Sequence, residues 1–150
     1  MDNRVLATRL RRLQGFVESL AALLPISLDA YLADDRLQGF VERRLQLSIQ
    51  ACMDIASYLV GQLTLSAPDN ASNVFQVLAH EGIIDRDLGA RMAGMVRFRN
   101  ILVHDYLDVD SERVYQHFAH ELGDFDEFAR QIIARFLTDT PRPGDLYPTE

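Results

Sequence analysis

The chain has 150 residues, of which 48% are hydrophobic and 25% are charged, proportions typical of one globular domain with a buried core. Its net charge of −7 argues against a protein that coats nucleic acid non-specifically, because such binding depends on neutralising phosphates. All 15 basic residues are arginine, so catalysis by a lysine nucleophile or a Schiff base is excluded as well.

The cysteine content and the N-terminal segment indicate the compartment. Cys52 is the single cysteine, so no disulfide can form within the chain, and its apolar neighbours indicate a packed thiol. The N-terminus lacks the apolar stretch of a signal peptide, and the apolar segment around Pro25 is too short and too interrupted to cross a membrane. We therefore expect a cytoplasmic protein that does not bind membranes.

The first third of the chain predicts two helices and a short turn between them. Apolar residues recur every three or four positions over residues 6–24, which predicts an amphipathic helix that ends at Pro25. Ser27 is a suitable N-cap for a short turn of helix. An apolar stripe over residues 35–63 predicts a long second helix, which the segment 66–73 interrupts.

Helical signals continue after this interruption. Val74, Val77 and Leu78 predict a short helix, and Gly82 is its expected terminator. Asp85 is the expected N-cap of the next helix, which carries the sequence RFRNILVHDY at residues 97–106.

The last third of the chain predicts one more helix and a tail. Asp110 or Ser111 is its expected N-cap, and apolar spacing over residues 114–136 predicts a helix that bends near Gly123. The remaining residues, 138–150, are rich in proline and are expected to form an extended C-terminal tail.

These elements predict an all-α protein. No alternating strand pattern competes with them, so we expect an up-and-down bundle of four to five antiparallel helices. The bundle forms a single domain over residues 1–137, and the tail over 138–150 lies outside it.

The helix that carries residues 97–106 has two apolar faces. At roughly 100° of rotation per residue, one face is an ordinary core-facing stripe, formed by Gly94, Met95, Phe98, Ile101 and Leu102. The opposite sector is a second apolar stripe with cations along its edges, formed by Met92, Ala93, Val96, Arg97, Arg99, Asn100, Val103 and His104. A second apolar face predicts either burial in the middle of the bundle or contact with another subunit.

Arg99 and His104 are the candidate catalytic residues of this helix. Histidine side chains change protonation near neutral pH, and an arginine fork can hold a scissile phosphate and stabilise its transition-state charge. If the second face is a two-fold interface, two copies of each residue line one cleft. That set suits cleavage of an RNA phosphodiester with no metal and no cofactor, and Asn100 could orient the imidazole or a ribose.

The same residues also have an ordinary structural explanation. Arg99 suits a solvated helix face, His104 suits the C-terminal end of a helix dipole, and Tyr106 suits a half-buried aromatic position. The sequence alone leaves both explanations open.

One further group of residues has metal-ligand spacing. His117 and His120, with Glu121 and Asp124, lie at helical spacings that are compatible with a metal site. No HExxH sequence or cysteine pair supports a metal there, so a solvated helix face is the expectation.

The sequence RNILVHDY, residues 99–106, resembles the signature of the HEPN superfamily and specifically of HepT toxins. The stretch VERRLQLSIQACMDIASYLV, residues 41–60, is similar to the long second helix of that family. The resemblance implies a helical bundle that forms a homodimer through its motif helices and acts as a metal-independent endoribonuclease on RNA such as tRNA or mRNA. Arg99 and His104 would then be its catalytic pair.

The resemblance also implies a partner and a modification. HepT-like toxins are paired with a small nucleotidyltransferase antitoxin, MntA, which transfers AMP to the motif tyrosine, here Tyr106. An attached AMP would place bulk and negative charge beside the cleft that receives RNA phosphate. A non-catalytic helical module that binds a nucleotidyltransferase is the alternative function.

The RNA-binding surface is predicted from charge alone. Arg91 and Arg97 are the candidates on the motif helix. The N-terminal segment adds further candidates, Arg4, Arg9, Arg11 and Arg12.

Overall fold

Seven α-helices and one 3₁₀ turn are present in the parts of the chain that the computed structural model describes, residues 1–66, 73–104 and 106–137. In chain order they are α1 (Asn3–Ala21), α2 (Leu28–Leu32), α3 (Asp35–Gln62), α4 (Val74–His80), α5 (Arg86–His104), the 3₁₀ turn (Tyr106–Asp108), α6 (Ser111–His120) and α7 (Gly123–Phe136). These residues contain no strand, which confirms the all-helical prediction. The predicted tail, residues 138–150, lies outside the described residues.

Side-chain caps fix where several helices begin. The Asp2 carboxylate accepts a hydrogen bond from the Arg4 backbone N–H at 2.8 Å, which starts α1. The Ser27 hydroxyl accepts from the Ala30 N–H at 3.1 Å, which confirms the predicted cap of α2. Of the two candidates for α6, the cap is Asp110. Each such cap satisfies a backbone donor that the helix leaves unpaired.

Two helices end in the same left-handed turn, one with glycine and one with threonine. After α4, the Ile83 N–H donates to the Leu78 carbonyl at 2.9 Å across Gly82, whose φ is +76°. After α3, the same kind of bond crosses Thr64, whose φ is +52°. Glycine adopts this conformation without steric cost, whereas threonine carries a branched Cβ into it.

The long helix α3 is the centre of the bundle. It packs against every other α-helix of the described chain. Its buried stripe follows the predicted spacing, and its larger apolar members are Val41, Leu45, Ile49, Ile55 and Leu59. Cys52 lies within this stripe, and burial raises the pKa of its thiol well above the ordinary value, as expected for a packed thiol.

Helix α5 packs against three other helices, α3, α4 and α7. Gly89 allows its close approach to α4, because a Cβ at this position would lie 2.9 Å from the Ala79 Cβ. No helix in the described ranges is both long enough and apolar enough to cross a membrane.

The prediction of one bent final helix is wrong. Glu121 and Leu122 separate α6 from α7, and Gly123 is the first residue of α7. Apolar spacing continues across this break, which is why the pattern predicted a single helix. The two helices have different neighbours: α6 packs on α2 and α3, whereas α7 packs mainly on α1 and α5.

Candidate functional site

The N-terminal end of the motif helix α5 is attached to α7. Asp85 caps the helix, as predicted, by accepting a hydrogen bond from the Leu88 N–H at 2.7 Å. The Gln131 side chain of α7 then binds both the backbone N–H of Asp85, at 2.8 Å, and its carboxylate, at 2.7 Å. The bonds from Leu88 and Gln131 lower the pKa of Asp85. This end of the helix therefore has a fixed position.

Arg99 lies on the following turns and is half-buried against α3. Its Nη2 donates to the Gln50 side-chain oxygen at 2.8 Å, and its Nη1 donates to the Asn100 side-chain oxygen at 3.1 Å. Both acceptors are neutral amides, and no carboxylate of the described chain forms an ion pair with the guanidinium. The positive charge of Arg99 is therefore oriented but not neutralised.

The Nε of Arg99 is buried and has no hydrogen-bond partner among the described residues. A buried donor on a charged group costs free energy while it has no partner. It is the un-neutralised charge of the half-buried guanidinium, and not this enclosed donor, that suits an anion such as a phosphate group.

His104 is the last residue of α5, and its side chain is exposed. It makes no hydrogen bond or ion pair to the residues that the structure describes. It lies about 7.5 Å from Arg99 along the helix axis and about 140° around it. One protomer therefore presents the two side chains on different sides of the helix, more than one turn apart.

Tyr106 belongs to the 3₁₀ turn that follows α5, so its backbone lies two residues beyond His104. Its side chain lies outside the described part of the structure. Leu107, next to it in the turn, is 83% exposed. A large apolar side chain is therefore exposed to solvent three residues beyond the end of α5.

Asn100 binds Arg99 in this structure and not His104. Its side-chain oxygen accepts from Arg99, and no hydrogen bond joins it to the imidazole.

The two arginine candidates on α5 also differ from each other. Arg91 forms ion pairs with Asp124 at 2.8 Å and with Asp87 at 3.5 Å, whereas Arg97 is exposed and forms none with the described residues.

The second apolar face of α5 is largely filled within the protomer. Met92, Ala93 and Val96 are buried in the core, so burial in the bundle is correct for this part of the helix. On this face only Val103, in the last turn, remains a partly accessible apolar residue, and Ile101 is partly accessible on the opposite stripe. Apolar contact with another subunit is therefore restricted to the last two turns.

Sequence reasoning missed Gln50, the residue of α3 that binds Arg99. Gln50 also donates to Asp54 through its Nε2, at 2.9 Å, one helical turn along α3. Gln50 and Asp54 lie four positions apart, a spacing that indicates a polar contact along the helix but does not identify Arg99 as a partner.

The group around His117 forms a packing contact. The imidazole stacks on the Phe98 ring with centroids 4.0 Å apart, and its Nδ1 lies 3.3 Å from a Glu121 carboxylate oxygen. Burial and the nearby Arg113 lower the pKa of His117, although Glu121 acts in the opposite direction. Within the described residues, no three potential ligands converge on a metal position.

Comparison with known proteins gives the family of this chain. The family described as ribonuclease HepT-like matches residues 8–132. The mRNA nuclease HepT of Shewanella oneidensis is 36% identical over 101 residues, 67% of this chain and 76% of that protein. The tRNA nuclease HepT of Aphanizomenon flos-aquae is 30% identical over 134 residues, 89% of this chain and 91% of that protein.

A solved structure shares the fold over nearly the whole of its length. It is the tri-AMPylated HEPN toxin of Shewanella oneidensis in complex with MNT antitoxin, with a TM-score of 0.81 and 28% identity. The similarity covers 89% of this chain and 99% of that chain. The family match, the similar relatives and the shared fold agree, and the chain belongs to the HepT-like ribonuclease family.

Proposed function

We propose that this chain is the toxin of a toxin–antitoxin pair and acts as a metal-independent endoribonuclease through Arg99 and His104. The observation that carries the proposal is the guanidinium of Arg99, which two neutral amides hold near an exposed histidine. The named nuclease relatives support the RNA substrate, of mRNA or tRNA type. Because RNA is the substrate, the proposed place of action is the cytoplasm.

The proposed reaction is transfer of the RNA phosphate to its own ribose. One histidine takes the proton of the 2′-hydroxyl, whose oxygen attacks the adjacent phosphorus. The bond from phosphorus to the 5′-oxygen breaks, a second histidine protonates that oxygen, and a 2′,3′-cyclic phosphate remains. The Arg99 guanidinium binds the phosphate oxygens and stabilises the charge that builds on them.

This reaction uses two histidines, and we propose that they come from a homodimer. The partly accessible Val103 lies in the last turn of α5, on the sector between Arg99 and His104. A two-fold contact through this turn brings each residue close to its own copy. The cleft then holds two arginines and two histidines, in contrast to the single pair of one protomer.

We propose that a nucleotidyltransferase of the MntA type inactivates the toxin by adding AMP to Tyr106. The support is the similarity to a tri-AMPylated toxin in complex with its MNT antitoxin. The transfer joins the tyrosine oxygen to the α-phosphorus of ATP and releases pyrophosphate. The added phosphate is negative and lies within two residues of His104, so it repels RNA and obstructs the cleft.

The test is cleavage of tRNA and of a model mRNA by purified, unmodified protein in excess EDTA. We expect wild-type protein to cut RNA and His104→Ala to leave it intact. His80→Ala is the matched control, because His80 is also exposed and is also the last residue of its helix. Intact RNA with folded, AMP-free wild type would favour the alternative, a non-catalytic module that binds a nucleotidyltransferase.

The modification is tested separately with the antitoxin and ATP. We expect wild-type protein to gain the mass of one or more AMP groups and to lose nuclease activity. Tyr106→Phe should remain active and gain no mass under the same conditions. An unmodified wild type, or equal modification of Tyr106→Phe, would contradict the proposed regulation.

A further inference from the structure

A polar groove with a volume of about 530 Å³ lies between α1 and α3. It is lined by Arg9, Arg12, Ala51, Asp54, Ser57 and Tyr58. Two arginines and one aspartate give this lining a net positive charge, in a chain whose overall charge is −7. The groove is therefore a local cationic site on an acidic protein, which is the condition that RNA binding requires here.

Arg9 and Tyr58 form a stacked pair in the groove. The guanidinium carbon of Arg9 lies 5.0 Å from the centre of the Tyr58 ring. Arg9 also donates to the backbone carbonyl of Asp54 at 3.1 Å, and the Tyr58 hydroxyl donates to the carbonyl of Asp2 at 3.3 Å. Both side chains are thereby held in place, and they supply the planar groups on which unpaired bases stack.

Arg12 differs from Arg9 because it is free to bind. It is exposed and makes no hydrogen bond or ion pair to the described residues. The acidic member of the groove, Asp54, already accepts a hydrogen bond from Gln50. A phosphate in the groove would therefore meet an unpaired guanidinium.

A continuous set of hydrogen bonds joins this groove to the motif helix. Arg99 donates to Gln50, Gln50 donates to Asp54, and the backbone of Asp54 accepts from Arg9. From Gln50 to Tyr58 the distance along α3 is about 12 Å, at 1.5 Å per residue. The groove and Arg99 therefore lie along one side of the bundle, within reach of one strand of RNA.

We propose that this groove is a second RNA subsite, which binds single-stranded nucleotides next to the phosphate that Arg99 holds. A base stacks on the Arg9–Tyr58 pair, and Arg12 binds a backbone phosphate. The proposal rests on the proposed ribonuclease function. It also separates the N-terminal arginines, because Arg11 lines a different groove, between α1 and α7.

The test compares Arg12→Ala with Arg11→Ala, which remove the same charge from adjacent exposed positions. Both are made in His104→Ala protein, and binding of a fluorescent single-stranded RNA of about 12 nucleotides is followed by anisotropy over a salt series. We expect Arg12→Ala to reduce the salt slope by about 0.7 and to weaken binding about fourfold at 0.15 M salt. Arg11→Ala should behave as the parent does. Equal effects of the two variants would overturn the subsite, because they would indicate general charge alone.

The stacking contact has its own pair of variants. Tyr58→Leu should weaken binding by roughly tenfold without changing the salt slope, because it removes an aromatic surface and no charge. Tyr58→Phe keeps the ring and should bind as the parent does. Thermal unfolding of each variant separates lost binding from lost folding, and folded Tyr58→Leu with unchanged affinity would overturn the stacking assignment.

Cleavage assays distinguish this proposal from the proposed function. With His104 intact, Arg12→Ala should lower kcat/KM for a long RNA and leave that for a dinucleotide unchanged. If wild type cleaves RNA and Arg12→Ala has an unchanged kcat/KM for the long RNA, the subsite is overturned and the nuclease function is supported. Weaker binding by Arg12→Ala than by Arg11→Ala, without cleavage by wild type, would support the subsite and overturn the nuclease function.

Discussion

Replacement of Gln50 by leucine tests whether α3 positions the candidate catalytic arginine. The side-chain oxygen of Gln50 lies 2.8 Å from Nη2 of Arg99, on a helix 49 residues earlier in the sequence. Leucine keeps a similar volume but accepts no hydrogen bond. The variant therefore leaves Arg99 in the protein and removes one of the two amide contacts that orient it.

The size of the effect follows from the geometry. A hydrogen bond to a charged group is worth about 1.5–3 kcal/mol, and water replaces part of it at the half-buried Arg99. We expect the free energy of unfolding to fall by about 1 kcal/mol. If the same bond fixes the guanidinium for the transition state, kcat falls by about tenfold, equivalent to about 1.4 kcal/mol.

The assay is steady-state cleavage of a short RNA, with urea unfolding of each variant. Gln46→Leu is the matched control, because Gln46 lies one turn earlier on α3 and binds none of the described side chains. Since a positioning role acts in the transition state, kcat should fall while KM changes little. An unchanged kcat in Gln50→Leu, or an equal fall in Gln46→Leu, would refute the reasoning.

Three further predictions concern the stability of the fold. Thr64→Gly should raise the free energy of unfolding by about 1 kcal/mol in urea titration, because threonine occupies a left-handed position. Gly89→Ala should lower it by about 1–3 kcal/mol, because the new Cβ lies 2.9 Å from that of Ala79, and Ala79→Gly should restore part of the loss. The pKa of His117 is lowered on folding, so the unfolded chain binds its proton at higher pH and stability falls as pH drops below about 6.5. His117→Phe should reduce the stability difference between about pH 7.5 and about pH 5.5.

Short-range signals in the sequence predicted most of the fold. Ser27, Asp85 and Asp110 each cap a helix through a backbone donor two or three residues away, so their roles follow from local sequence. Gly82 was equally predictable, because the left-handed turn after α4 depends on one residue. The break between α6 and α7, at Glu121 and Leu122, was not predictable, because apolar spacing continues across it and only the different neighbours of the two helices reveal it.

The sequence singled out candidate site residues but gave no indication of their contacts. Arg99 and His104 stood out through their spacing within one helix. The acceptor of Arg99 lies 49 residues away, and no pattern within one helix identifies a partner on another. The second apolar face of α5 predicted burial, either in the bundle or against another subunit. Met92 and Val96 of that face are buried by residues of their own chain.

The two ends of α5 are held very differently, and this has a consequence for how such a protein can diversify. Its first turns are joined to α7 through Asp85 and Gln131, and its middle turns lie in the core. The last residue, His104, is in solvent. Substitutions of exposed residues at that end change the proposed reacting surface at little cost in stability. One bundle can therefore accept new RNA targets over evolutionary time while its core stays unchanged.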